Sequence, residues 1–173
     1  GAYAMLEYNL TGLHVPAQAL NQAVSDFAGW VSFTSDNNQT GDHEGHILPG
    51  SPGNTQVTTI DQFVAENSVT MADFLVFKID VEGQEIPAVK GALKAITQCR
   101  GAVLLLEIHP EVLALQGQTP DDMFDKIESM LEVTWDVPIF SQQKVDRQQP
   151  FFNQFPVQQY DVIALTPALQ HLL

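Results

Sequence analysis

Residues 74–96, FLVFKIDVEGQEIPAVKGALKAI, hold the junction on which the fold turns. The first eight, FLVFKIDV, are almost continuously apolar, as expected of a central parallel strand buried on both faces. A helix follows directly. Ile86, Val89, Leu93 and Ile96 recur at helical spacing, with Glu82 and Glu85 near its start and Lys94 and Arg100 near its end, where they suit the helix dipole. Pro87 falls early enough to be tolerated in the first turn.

The pattern then repeats. Residues 102–108 read as a second buried strand and 120–133 as a second helix, with Met123, Phe124, Ile127, Met130 and Leu131 inward. Thr119 followed by Pro120, Asp121 and Asp122 is a strong helix start. Two strands, each followed by a helix, predict a parallel α/β sheet with right-handed crossovers. The ending differs: strands at 134–140 and 160–166 are joined by a Gln-, Pro- and Phe-rich connection without helical period, which predicts an antiparallel pair. Upstream, residues 2–10 read as the last turns of a helix closed by Gly12. Short strands are expected at 17–24 and 30–34, with Asp26 and Gly29 in the turn between, and a long loop over 35–54.

At 173 residues the chain fits one domain, and 45% apolar against 16% charged residues matches a globular interior. The 21 acidic and 7 basic residues give a formal charge of −14, which repels phosphate backbones and anionic headgroups, so neither nucleic acid nor membrane is expected as a partner. With no apolar run near the length of a span and no signal core at the start, a cytoplasmic location is expected. The single Cys99 has no internal disulfide partner, and no Cys/His zinc spacing occurs. The Asn9 and Asn38 sequons read as chance matches.

In open parallel sheets, ligands bind beyond the carboxyl ends of the strands. The first such end carries Lys78, Asp80, Glu82, Gly83 and Glu85; the second carries Glu107, His109, Pro110 and Glu111. Alternation puts Lys78, Asp80 and Glu82 on one side of their strand, and Glu107 and His109 on one side of theirs. An ionised Asp80 inside an apolar strand is costly unless it faces a cleft or finds a partner, for which Lys78 is available. His109 is suited to proton transfer near neutral pH. Asp42, His43, Glu44 and His46 lack the helix that would make them a ligand set, and they read as a solvated loop; no metal site is expected.

FKIDVEGQEIPAVKGAL at 77–93 and VLLLEIHPE at 103–111 closely resemble the signature of the FkbM-type methyltransferases. MLEYN at 5–9, QAVSDFAGWVSF at 22–33 and VTTIDQF at 57–63 follow the family's order, so the resemblance covers about residues 2–166. It implies a Rossmann-like sheet, mostly parallel with a C-terminal antiparallel pair. On that pattern the chain supplies the third to seventh strands, as a single, N-terminally truncated domain over 1–173 whose glycine-rich loop would precede Gly1. The cofactor implied is S-adenosylmethionine, with Ala23, Val24 and Ser25 beside the adenine and Asp80 facing the methionine end and the acceptor. The reaction implied is O-methyl transfer to a hydroxyl of a small molecule or sugar, with Asp80, Glu82 and His109 as catalytic residues and Glu82 or His109 as the base. On this reading the isolated chain binds cofactor poorly, and its unpaired strands pair with another copy. Two other classes compete: a non-catalytic domain of the same fold, and a glycosidase using Glu82 and Glu107 as paired carboxylates.

Overall fold

A computed structural model describes residues 2–14, 16–34, 46–48, 53–70, 72–138 and 143–172. Much of the loop expected at 35–54, including Asp42, His43 and Glu44, lies outside these residues, as do the last two positions of the strand expected at 134–140. After helix α1 (Ala2–Leu10), a small sheet is built from β1 (Ala23–Val24), β2 (Gly29–Thr34), β3 (His46–Leu48) and β4 (Thr55–Thr58), in the order β1-β4-β2-β3. Helix α2 (Ile60–Glu66) leads to β5 (Phe74–Ile79), α3 (Glu85–Lys90), α4 (Leu93–Gln98), β6 (Gly101–Ile108), α5 (Pro110–Leu115) and α6 (Pro120–Glu128). The chain closes with β7 (Thr134–Val137), β8 (Gln143–Lys144), α7 (Phe151–Gln154), β9 (Tyr160–Leu165) and a 3-10 helix at Pro167–Leu172. No helix among the described residues is long and apolar enough to cross a membrane.

The main sheet has five strands in the order β5-β6-β9-β7-β8. β5 and β6 are adjacent and parallel, as expected, with Phe74 opposite Gly101 and Ile79 opposite Leu106. β7 and β9 form the expected antiparallel pair. The sheet is mixed: β9 enters between β6 and β7 antiparallel to both, and β8 pairs antiparallel with β7, so β5, β6 and β7 run in one direction and β8 and β9 in the other. The βαβ unit of β5 and β6 is followed by a second crossover from β6 through α5 and α6 to β7, and only β8 and β9 return the chain in the opposite direction.

One face of this sheet is covered. Ile79, Ala102, Leu104, Leu106, Ile108, Val162, Ala164, Trp135 and Val137 pack with Val89, Ile96, Met123, Phe124, Ile127 and Phe151 of the helices. Phe124 meets Trp135 at 4.5 Å and Phe151 at 5.5 Å between ring centroids, which anchors α6 and α7 to β7. Thr119 and Asp122 form the reciprocal capping box that starts α6. Arg147 then ties the following connection to α6: it bonds Asp121 at 2.9 Å, Glu128 at 2.9 Å and Asp125, while its guanidinium lies over the Phe124 ring.

β5 departs from its expected burial on both faces. Val76 is 76% exposed and Phe74 47%, because β5 is an edge strand and its alternate residues point away from the helical layer. Other boundaries also moved. The strand expected at 17–24 is reduced to Ala23–Val24, and the helix read through 85–96 is two helices broken at Gly91–Ala92. The helix expected to Val133 ends at Glu128, and the connection before β9 holds β8 and the short α7.

The break at Gly91 has a tertiary cause. A Cβ on Gly91 would lie 2.1 Å from the Ser25 carbonyl oxygen, so only glycine lets the backbone after β1 pass. Asp61 of α2 completes the junction, its carboxylate accepting from the backbone N–H of Lys94 at 3.0 Å and Ala95 at 2.8 Å at the start of α4. Gly91→Ala is expected to cost about 1–3 kcal/mol through this backbone overlap, read as a lower denaturation midpoint in urea.

Asp136 is a second point of tension. It is 1% exposed in β7, and neither carboxylate oxygen has a hydrogen-bond partner among the described residues. Burial pushes its carboxyl above the usual range, and the Lys144 charge offsets this only in part. A raised folded-state pKa means that the group's stabilising contribution is complete below the ordinary carboxylate pKa and is lost as pH rises through the folded value. Asp136→Asn is therefore expected to raise the melting temperature near neutral pH, by the equivalent of about 1 kcal/mol, with the gain shrinking on acidification into the ordinary carboxylate range. Thermal unfolding of both proteins across that range measures the convergence.

Candidate functional site

Because Ile79 pairs with Leu106 at the end of the parallel ladder, the next residues, Asp80 just beyond β5 and Glu107 still within β6, stand side by side. The chain then turns sharply. Glu82 takes φ +47 and Gly83 φ +86, two consecutive left-handed residues. Glycine is required at 83 on a second count, since a Cβ there would stand 2.8 Å from Val112 Cγ1. Glu85 holds the turn from inside: 3% exposed, it accepts hydrogen bonds from the Gly83 N–H at 3.1 Å and the Val81 N–H at 3.4 Å. Burial raises its pKa, against the lowering effect of those bonds and of His109.

The turn brings Glu82 to β6. His109 Nε2 lies 3.4 Å from Glu107 Oε1 and 3.8 Å from Glu82 Oε1. Lys78 Nζ lies 2.9 Å from Asp161, 3.5 Å from Glu107 and 3.8 Å from Asp80. β9 supplies the third wall, since its register sets Asp161 opposite Glu107, and Gln159 donates a hydrogen bond to Glu107 Oε1. Beneath them, a cleft of about 760 Å³ is lined by Leu105, Glu107, Pro138, Tyr160, Asp161 and Ile163.

The charges in this cluster perturb one another. Partial desolvation and a hydrogen bond shared with Glu107 raise the pKa of Asp80. Glu107 goes the other way: desolvation alone would raise it, but the bonds from Asp80 and Gln159 and the Lys78 and His109 charges hold it below the usual range. Lys78 is held above its ordinary value; partial desolvation opposes this, and the bond to Asp161 with the charges of Asp161, Asp80 and Glu107 outweighs it. As pH falls, Asp80 is thus the carboxyl of the pair that takes up a proton first.

Of the residues singled out from sequence, Asp80, Glu82, Glu107 and His109 come together. Ala23, Val24 and Ser25 do not join them. They lie at β1, where Ala23 and Val24 pair with Val57 and Thr58 of β4, and Ser25, 1% exposed, lines a separate cleft of about 380 Å³ with Phe27, Gly83, Gln84 and Gln118. The Gly83 turn borders this second cleft, and Glu82 before it belongs to the first cluster. Glu85, which the sequence places at this strand end as a dipole acid, instead holds the turn from inside. Gln159 and Asp161 carry no local signal and become neighbours of Glu107 only through the antiparallel entry of β9. His109 Nε2 stands within 3.8 Å of both Glu82 and Glu107, the two carboxylates of the glycosidase reading.

An α/β domain with acids and a histidine gathered beyond two adjacent parallel strands belongs to the class that binds ligands at strand ends. A family model, the Methyltransferase FkbM domain, matches residues 6–133, and the chain belongs to that family. Neither the curated proteins nor the solved structures yield a match.

Glu85→Ala is expected to leave the Val81 and Gly83 amides unpaired, costing about 1–3 kcal/mol and speeding hydrogen exchange at Gly83. Exchange measured by NMR, with α6 amides as the internal control, separates the local effect from global unfolding.

Proposed function

We propose that this chain is a Rossmann-like, S-adenosylmethionine-dependent methyltransferase domain that transfers a methyl group to a hydroxyl of a small molecule or sugar. The observation carrying this reading is the convergence of Asp80, Glu82, Glu107 and His109 at the ends of β5 and β6, within a family of methyltransferases. Ala23, Val24, Ser25 and Phe27 at the smaller cleft and Asp80 beyond the Gly83 turn would hold the cofactor, which would supply the methyl group.

Methyl transfer to oxygen needs alignment of the acceptor with the sulfonium methyl and removal of one proton. Glu82 and His109 are the two groups placed to take that proton, and their separation from each other, 3.8 Å, lets either receive it. Asp80 positions the acceptor, and Lys78 limits the repulsion between Asp80 and Glu107. A small neutral or cationic acceptor suits this acidic surround better than a phosphorylated one. The free edge of β5 is where a second copy would pair, a point that light scattering can test.

The test is calorimetric titration with S-adenosylmethionine, followed by transfer of radiolabelled methyl to a panel of hydroxyl acceptors. Glu82→Gln or His109→Ala is expected to lower kcat by about 10²-fold or more, according to which is the base, with cofactor affinity changed little. Folded chain that takes up no cofactor at millimolar concentration supports the non-catalytic reading instead.

A further inference from the structure

We propose that Asp80, Glu107 and His109 form a binding site for a divalent cation of the Mn²⁺, Fe²⁺ and Zn²⁺ class. Each residue offers one ligand atom, and the three atoms all lie within 4.8 Å of one another. Ligands around such a cation sit at about 2.0–2.2 Å from it, so their mutual distances are on the order of 3–3.5 Å, and a modest closing of side chains completes the triangle. Two carboxylates and one imidazole suit these metals better than Mg²⁺ or Ca²⁺, which take oxygen ligands.

A second observation concerns the histidine alone. His109 Nε2 is inaccessible to solvent and makes no hydrogen bond among the described residues, although carboxylate oxygens stand 3.4 and 3.8 Å away. A buried imidazole nitrogen directed at carboxylates without bonding them leaves a coordinating lone pair unused when the ring is neutral. The ligands are also held. Asp80 and Glu107 stand at the ends of adjacent hydrogen-bonded strands, and Gln159, just before β9, fixes Glu107.

Lys78 is the competitor. Its ammonium already faces Asp80 and Glu107, but at 3.8 and 3.5 Å, whereas its short contact, 2.9 Å, is to Asp161. Its side chain is 45% exposed and remains paired with Asp161 when it withdraws. Three carboxylates, from Asp80, Glu107 and Asp161, face this one ammonium, and Glu82 stands beside His109, so a dication adds charge where charge is lacking. A cation on His109 removes that ring from proton transfer and leaves Glu82 as the base. This consequence rests on the methyl-transfer reading; the cation site does not.

The experiment is a titration of the metal-free chain with Mn²⁺, following loss of the free-ion signal by electron paramagnetic resonance. One site per chain is expected, tighter than about 1 mM. Asp80→Asn and His109→Ala are each expected to weaken it by about tenfold or more, and Lys78→Met to tighten it severalfold. Near-UV circular dichroism verifies that each variant is folded. As a readout independent of any variant, Mn²⁺ should selectively broaden the His109 ring resonances in the unaltered chain. Absence of saturable binding, sparing of the His109 resonances, or indifference to Lys78→Met in a folded variant each overturns the assignment, whether or not the chain transfers methyl groups.

Discussion

Strand β6 is hydrogen-bonded along its length to β5 on one side and β9 on the other, and the two-residue period of its side chains sorts the molecule into a core and a site. Ala102, Leu104, Leu106 and Ile108, all 0% exposed, face the helices; Val103, Leu105 and Glu107 face the cleft side. A slip of one residue in either ladder would drive Glu107 into the apolar layer and expose four core residues. The register that stabilises the core therefore also aims the carboxylate. Core and chemistry are specified by the same hydrogen bonds.

Much of this arrangement was legible because it depends on local pattern. The apolar run of β5, the helical spacing after it, the capping box at Thr119 and the strand ends at Asp80 and Glu107 all lie within windows of a few residues. What could not be read came from distant parts of the chain. Gly91 looks like an ordinary helix residue until Ser25 is seen against it, and the helix breaks there for that reason. Glu85 looks like a dipole acid until its carboxylate is found inside the turn. β5 looks like a central strand because its composition is apolar, yet composition carries no information on whether a neighbour lies beyond it. Asp161 meets Lys78 from 83 positions away, a separation over which no sequence period operates.

The chain holds 7 basic residues against 21 acidic ones, and the structure places several of them where acids crowd. Arg147 gathers three acids spaced along α6, Lys90 pairs with Asp26 beside the Ser25 cleft at 2.6 Å, and Lys78 stands among the acids of the strand ends. Arg147 suits its role because its fork reaches several carboxylates at once while its flat face rests on Phe124. Lys78, a compact charge on a flexible stem, bonds one carboxylate closely and leaves the others at longer range.

The position of β9 bears on the order in which the molecule is made. β9, the last strand among the described residues, lies inside the sheet, between β6 and β7, so a nascent chain that has not yet released residues 160–165 has no means of joining β7 and β8 to β5 and β6. Until then, the helices of the βαβ unit rest on half a sheet, and Glu107 lacks the strand that brings Asp161 and Gln159 to it. The site consequently matures only after residues 160–165 have left the ribosome. Loss of those six residues would split the sheet, although every residue of the Asp80, Glu82, Glu107 and His109 cluster would still be present.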